Sequence, residues 1–156
     1  MTYRSDFYVI EDTRQKQGKH DNISSYFASI GVSMIRRCLP VGDYMISTNN
    51  GISVDTKRGI DEVCLDFGAE NARFRRELDR ALKSKIKLII LVEDKRFKNI
   101  SDVASWGNPN YAKKAVRMDG KELARRMRSA EISYGIRFEF CSEKSTGEKI
   151  LNILRS

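Results

Sequence analysis

Two carboxylates and a lysine stand near the middle of the chain in a spacing that could do chemistry. Asp43 is followed, after eleven residues, by the tripeptide Asp55-Thr56-Lys57. Two neighbouring carboxylates repel each other unless a cation compensates their charges. Mg2+ takes carboxylate oxygens and keeps several waters, and an adjacent lysine can hold or help deprotonate a water. The pattern is therefore typical of metal-assisted phosphodiester hydrolysis, although a surface hairpin with solvated charges fits the same spacing.

The flanking residues predict a β-hairpin that brings these side chains to one face. Its apolar positions all carry even numbers: Tyr44, Ile46, Ile52 and Val54. Side chains alternate between the faces of a strand, so partners across the hairpin must have numbers with an even sum. The register that we predict pairs Asp43 with Lys57 and leaves Asp55 two residues away on the same face. It needs an odd loop, most simply Asn49-Asn50-Gly51 with a left-handed Gly51.

The other elements alternate between strand and helix. Strands are predicted at 7–10, 32–38, 43–48, 52–57, 87–92 and 136–141. Helices are predicted at 21–29, 60–67, 69–83, 120–133 and 146–154. Residues 97–119, which include Trp106, show no clear period. The expected fold class is α/β, with a central mixed β-sheet flanked by helices.

Length and charge restrict the function. A chain of 156 residues forms one domain, and its 29 Lys and Arg against 21 Asp and Glu give a net charge of +8. This excess favours a polyanionic partner, with nucleic acid first and an anionic membrane second. The longest apolar run, 88–92, is too short to cross a bilayer. The N-terminus has no signal core, so we expect a soluble, cytoplasmic protein.

Cysteine and histidine counts exclude several kinds of chemistry. Three widely spaced cysteines suit neither a disulfide framework nor a zinc site. His20 is the only histidine, so one chain cannot supply a two-histidine metal site, and we interpret it as a loop residue. Catalysis would depend on carboxylates, lysine and a bound metal.

Several motifs in order resemble the nuclease domain of the XPF-type structure-specific endonucleases, within the PD-(D/E)XK superfamily. Val41-Gly42-Asp43-Tyr44, followed by Val54-Asp55-Thr56-Lys57 and Asp61, is similar to the G-D-[YF] … E-R-K-x-x-x-D signature. Residues 9–15 resemble the opening strand and its D-x-R-E motif. The resemblance runs over about 7–94 and from about 134 to the end, and the compact form resembles stand-alone members found in bacteriophages.

The resemblance implies a restriction-endonuclease-like core and a Mg2+ site at which Mn2+ can substitute. The implied metal ligands are Asp12, Asp43 and Asp55. Lys57 would be the catalytic lysine, with Asp61 the trailing acid of the signature and Arg14 beside the scissile phosphate.

Three residues depart from the motifs of that family. Asp55 replaces Glu, Thr56 replaces Arg, and Gln15 replaces Glu. A shorter carboxylate still ligates a metal. Thr56 is expected to point to the other face of its strand, so that it affects packing or DNA contact and not the metal. Gln15 removes a negative charge near the site.

Clusters of basic residues suggest where DNA would bind, although an arginine-rich helix face is commonly just solvated. The predicted phosphate contacts are Arg14, Lys16, Arg58, Arg73, Arg75, Arg76 and Lys113. Trp106 could stack on a base or anchor a loop.

Two functions follow from these observations. The first is a Mg2+-dependent endonuclease acting on branched or single-strand/double-strand junction DNA, in a single nuclease domain over 1–156 without helix-hairpin-helix or helicase module. The second is a catalytically weak DNA-binding or scaffold module, against which the retained Asp43, Asp55 and Lys57 argue. An RNA or modified-DNA substrate also stays open.

A homodimer is expected from the apolar last helix. It carries Ile150, Leu151, Ile153 and Leu154, more apolar residues than one buried face needs. The family pairs through its later helices, which the resemblance places at 120–133 and 146–154. The alternative is that these residues cover the sheet of their own chain.

Overall fold

A computed structural model describes residues 6–16, 18 and 20–156. The strands are β1 (Val9–Asp12), β2 (Met34–Arg37), β3 (Tyr44–Ile46), β4 (Ile52–Lys57), β5 (Lys87–Glu93) and β6 (Arg137–Cys141). The helices are α1 (Asp21–Ser29), α2 (Ile60–Phe67), α3 (Asn71–Lys83), α4 (Ile100–Val103), α5 (Gly120–Tyr134) and α6 (Thr146–Leu154). Short 3-10 turns occupy Lys114–Val116 and Glu143–Ser145.

The strands form one mixed sheet in the order β2-β1-β3-β4-β5-β6. β3 lies antiparallel between β1 and β4, whereas the pairs β1/β2, β4/β5 and β5/β6 are parallel. The mixed sheet flanked by helices confirms the predicted fold class. The hairpin that carries the predicted site therefore lies in the centre of the sheet.

Helices cover both faces of the sheet. α1 and α6 lie on one face, where Phe27 and Leu151 pack in the same apolar cluster as Val54. α2, α3 and α5 lie on the other, where Phe74 packs in the cluster that contains Ile90. β5 contributes alternate residues to the two clusters, because a parallel strand at this position is buried on both sides.

The last helix packs on its own chain. Ile150, Leu151 and Leu154 are at most 2% exposed, in the cluster formed with β3, β4 and β5. The apolar surplus that suggested a dimer is thus used within the fold, and the alternative interpretation of this helix is the one observed.

The hairpin has an even register, as predicted, but one shifted by two residues. Tyr44 pairs with Val54, and the Asp43 N–H donates to the Val54 carbonyl at 2.8 Å. In this register the residue across the hairpin from Asp43 is Asp55, whereas the sequence predicted Lys57.

The shift arises in the loop between the strands. β3 ends at Ile46, before the position that the predicted three-residue loop requires, and the next residue, Ser47, bonds Tyr8 on the β1 side. The Ser47 N–H donates to the Tyr8 carbonyl at 2.9 Å, and the Ser47 hydroxyl accepts the Tyr8 N–H at 2.9 Å. Gly51 does adopt the predicted left-handed conformation, with φ 76°.

Gly42 makes the approach of Asp43 possible. Its φ of 77° is one that favours glycine, and an added Cβ would collide with the Ser53 hydroxyl. That hydroxyl donates to the Val41 carbonyl at 2.8 Å, so the backbone turn before Asp43 is packed against the middle of β4.

The segment without a sequence period joins the core. Phe97, Val103, Trp106 and Met118 are buried in the cluster beneath α2, α3 and α5. Trp106 is 8% exposed, which makes it a loop anchor and removes it as a stacking platform.

Cysteine pairing and the lengths of the apolar helices are also visible in the structure. The three cysteines, all of them in the described part of the chain, are free thiols. Among the residues described, no helix is both long and apolar enough to span a bilayer.

Candidate active site

Asp43 is held at the start of β3 by the end of β4. Its Oδ2 accepts two hydrogen bonds from Thr56, one from the backbone N–H and one from the hydroxyl, both at 2.8 Å. The Gln15 side chain lies close enough to this carboxylate to lower its pKa. Burial raises the pKa of Asp43 above its ordinary value despite these hydrogen bonds, which oppose the shift.

Thr56 therefore does not act as the sequence predicted. A strand position that alternates with Asp55 and Lys57 was expected to point away from the site. The Thr56 hydroxyl instead donates to the Asp43 carboxylate. The backbone of Asp43 bonds Val54, and its side chain extends beyond that bond to Thr56, near the end of β4.

Asp55 and Lys57 form a buried ion pair on β4. The Lys57 Nζ lies 3.2 Å from the Asp55 Oδ2, and the side chains of Lys57 and Asp55 are 16% and 9% exposed. Burial, and then the charge of Asp43, raises the pKa of Asp55 to about 7. Apart from this ion pair, the Asp55 Oδ2 has no hydrogen-bond partner among the described residues, which leaves a buried carboxylate oxygen with unused acceptor capacity.

Two further acids, which the sequence motifs did not indicate, lie near Lys57. Asp66 of α2 places its Oδ2 3.0 Å from the Lys57 Nζ. Burial, and then the charge of Asp55, raises the pKa of Glu77 on α3 to about 7. Burial alone would lower the pKa of Lys57, but the charges of Asp55, Asp66 and Glu77 outweigh it and raise that pKa.

The spacing of apolar residues along α3 indicates that Glu77 lies close to the sheet. It lies one residue before Leu78 and three after Phe74, both of which are buried, so it borders the apolar stripe that faces the sheet. Asp66 had a weaker signal, since its contact with Lys57 depends on how α2 packs after the turn at Gly59.

Asp12 is close to the site through its backbone, and its carboxylate is engaged elsewhere. The Asp12 N–H donates to the Asp43 carbonyl at 2.8 Å. Its Oδ1 accepts the Leu39 N–H at 2.9 Å, and its Oδ2 accepts the Arg14 Nε–H at 2.8 Å. In the described ranges, no three acidic, histidine or cysteine side chains are grouped closely enough to hold a metal ion. The predicted set of Asp12, Asp43 and Asp55 is therefore not assembled as one cluster.

The remaining predicted residues lie around this centre. Asp61 is exposed in the first turn of α2, whereas Asp66, five residues later, contacts the lysine. Glu93, the last residue of β5, was not predicted as a site residue, and it accepts the Thr146 hydroxyl at 2.8 Å.

The predicted DNA contacts all lie on the surface. Arg14, Lys16, Arg58, Arg73, Arg75, Arg76 and Lys113 are exposed. Arg73 lies close enough to Asp66 to lower the pKa of that acid, against the larger effect of burial. Arg75 lies on another side of α3, in a groove that it shares with Arg125 and Arg126 of α5. The structure thus places Arg73 beside the site and Arg75 in that groove.

The residues present fit a Mg2+ ion bound by two carboxylates. Proteins commonly hold Mg2+ through one or two carboxylates plus substrate phosphates, with waters completing the shell. Asp43 and Asp55 are neighbours, and the buried Asp55 Oδ2 keeps acceptor capacity beside its ion pair. Four acids with pKa values raised largely by burial surround one lysine, and a divalent cation would relieve their repulsion.

Fold and site together define an α/β domain of the nuclease type, with carboxylates and a lysine gathered at the centre of a mixed sheet. The ERCC4 domain profile matches residues 11–153, and the chain belongs to this family, the XPF-type nuclease domains that its motifs resemble. Among solved structures, XPF from Aeropyrum pernix in complex with DNA is similar, with a TM-score of 0.65 and 24% identity. The match covers 95% of this chain and 63% of that one, so this chain spans less than two thirds of that XPF chain. No curated protein matches the sequence.

Proposed function

We propose that this chain is a divalent-metal-dependent endonuclease that hydrolyses phosphodiester bonds in branched or single-strand/double-strand junction DNA. The observation that carries the proposal is the buried Asp55–Lys57 pair beside Asp43. A fold without a use for these charges would bury apolar residues at the same positions, because buried ion pairs are costly to desolvate. Membership of the ERCC4 domain family and the likeness to a DNA-bound XPF support it.

Each group of the site has a definite task in this proposal. Asp43 and Asp55 would hold Mg2+, or Mn2+ in its place, and the ion would polarise the scissile phosphate and lower the pKa of a bound water. Lys57, kept protonated by its acidic neighbours, donates hydrogen bonds to a water or to a phosphate oxygen as negative charge develops there. Asp66 fixes the position of the Lys57 ammonium.

The positive surface binds the substrate. Arg14 is anchored to Asp12 and to the Leu39 carbonyl, with its side chain 51% exposed, so it is oriented and still accessible to a phosphate. Arg73 extends this surface along α3. These contacts read the backbone and not the base sequence, as an enzyme selective for DNA shape requires.

A cleavage assay tests the proposal. The purified chain is incubated with flap, fork, Holliday-junction and linear duplex DNA, in Mg2+, Mn2+ or chelator. We expect cleavage of the branched substrates in either metal and none in chelator. Asp43→Asn and Lys57→Met should bind DNA and lose cleavage, whereas Lys121→Met on α5 serves as the matched control. Cleavage by Asp43→Asn at the wild-type rate would contradict the assignment.

We further propose that the chain acts as a homodimer, with a contact that does not involve the buried face of α6. Ile132 of α5 is 86% exposed, and it offers an apolar contact on a helix that the family uses for pairing. Light scattering at micromolar concentration should give twice the 17.9 kDa chain mass. Ile132→Glu should halve that mass, while a Leu151→Glu variant would disrupt the chain's own core and is unsuitable.

A further inference from the structure

Two of the three residues that depart from the family motifs, Gln15 and Thr56, meet the only histidine of the chain, His20, beside Asp43. Gln15, Thr56 and His20 form a connected hydrogen-bonded group against the Asp43 carboxylate. In the sequence, Gln15 and Thr56 are two separate losses of charge. In the structure, both residues contact His20.

His20 forms the outer part of this group. It is 5% exposed, and its Nε2 lies 3.0 Å from the Gln15 Oε1 and 3.4 Å from the Thr56 Oγ1. With the proton on Nε2, the imidazole donates to the Gln15 Oε1, which directs the Gln15 NH2 group toward Asp43. The Thr56 hydroxyl donates to the Asp43 Oδ2 at 2.8 Å. The single Nε2 proton lies toward the nearer Gln15 Oε1, and the Thr56 Oγ1 at 3.4 Å shares it as the weaker acceptor of a three-centre hydrogen bond.

Such a group would fix the orientation of a carboxylate that must ligate a cation. Partners that hydrogen bond to ligating side chains set their direction, and their loss commonly costs about 10- to 100-fold in metal affinity or activity. Asp43 is anchored by Thr56 through both its backbone and its side chain, and Gln15 restrains the carboxylate as well. We propose that His20 is a positioning residue, which acts through Gln15 and Thr56 to orient Asp43 toward the divalent cation. This inference rests on the proposed metal-dependent function.

A purely structural role for His20 is the competing explanation. Its carbonyl accepts N–H groups at the start of α1, and its ring makes an edge contact with Tyr44 at 6.1 Å between centroids. Any large replacement that fills the space should preserve packing. The experiment therefore has to separate the donor on Nε2 from the volume of the ring.

The test measures Mn2+ binding to the chain without DNA, by electron paramagnetic resonance or calorimetry. His20→Gln keeps an amide donor at a reach similar to Nε2, and His20→Phe keeps a ring without one. Thr56→Ser and Thr56→Val form a second matched pair. Thr146→Val, which removes another buried hydroxyl that donates to a carboxylate, is the control. Thermal unfolding of each variant confirms that it is folded.

We expect His20→Phe and Thr56→Val to weaken Mn2+ binding about 10- to 100-fold. His20→Gln, Thr56→Ser and Thr146→Val should stay within about threefold of the wild type, a spread of well under about 1.4 kcal/mol. Folded His20→Phe protein that binds Mn2+ like the wild type would overturn the proposal, as would equal losses in His20→Gln and His20→Phe. Wild-type protein that binds no Mn2+ would refute the proposed function itself, and this inference with it.

Discussion

Glu77→Gln should stabilise the metal-free protein at alkaline pH and have a much smaller effect at acid pH. The change removes one of four acids around Lys57 and keeps the shape of the side chain. Glu77 is half-buried near Asp55 and Asp66, and its pKa is raised to about 7. Between the unfolded value of about 4.3 and the folded value, the folded chain therefore binds more protons than the unfolded chain. The stability that this proton contributes is present at low pH and is lost as the pH rises through about 7.

The size of the effect follows from the two pKa values. Relative to a side chain that is neutral in both states, Glu77 costs the folded state about 3 kcal/mol at pH 8, where it is ionised, and about 1 kcal/mol at pH 5, where folding holds it protonated. A neutral glutamine at this position escapes both costs, so the stabilisation should be about 2 kcal/mol greater at pH 8 than at pH 5.

Urea unfolding in chelator at the two pH values measures this difference. The difference between the two conditions matters more than either value, because it cancels any packing change that the substitution causes. Asp79→Asn, an exposed change on the same helix, is the control and should alter stability equally at both. A Glu77→Gln variant with the same change in unfolding free energy at pH 5 and pH 8 would refute the assignment of Glu77 to the charge cluster.

Three other predictions concern the metal, the hairpin and the DNA surface. Because the pKa of Asp55 is raised to about 7, Mn2+ binding measured by calorimetry should strengthen from pH 6 to pH 8 and then level off; a flat profile would contradict this. Gly42→Ala, which forces a Cβ into the packed turn, should lower the free energy of unfolding in urea by more than about 2 kcal/mol. Gly107→Ala, with no atom within 4 Å of the added Cβ, should change it little. Arg73→Gln should weaken DNA binding and reduce the slope of log affinity against log salt by about 1, whereas Arg137→Gln on the far edge strand should leave that slope unchanged.

The elements could be predicted from sequence wherever local signals agree. The structure has α1, β4, α2 and α6 with the predicted bounds. In these elements the spacing of apolar residues, the positions of glycines and the distribution of charge all indicate the same first and last residues. The hairpin register could be predicted only to within two residues, since alternation fixes the face and not the pairing. The residue that follows β3, Ser47, bonds Tyr8, which is far from it in sequence, so local patterns do not reveal this contact.

The site was predictable in its centre and not in its surroundings. Asp43, Asp55 and Lys57 are adjacent on one hairpin, so strand geometry relates them directly. Asp66 and Glu77 approach Lys57 from two helices, and their approach depends on how those helices pack on the sheet. Asp12 was predicted as a metal ligand from the family resemblance, and nothing in the sequence shows that its two carboxylate oxygens have other partners. In the fold, they accept hydrogen bonds from Leu39 and Arg14.

The double hydrogen bond from Thr56 to Asp43 has a consequence for how copies of this gene would diverge. The Asp43 carboxylate takes the place of a main-chain acceptor at the end of β4, so selection for folding acts on it as well as selection for catalysis. A duplicate released from catalysis would keep a hydrogen-bond acceptor at position 43 while it lost Asp55 and Lys57, whose buried charges contribute little without a reaction. Under the proposed function, the acids of this signature would therefore differ as markers: loss of the Asp55–Lys57 pair would accompany loss of catalysis, whereas an acceptor at position 43 would be kept with the fold.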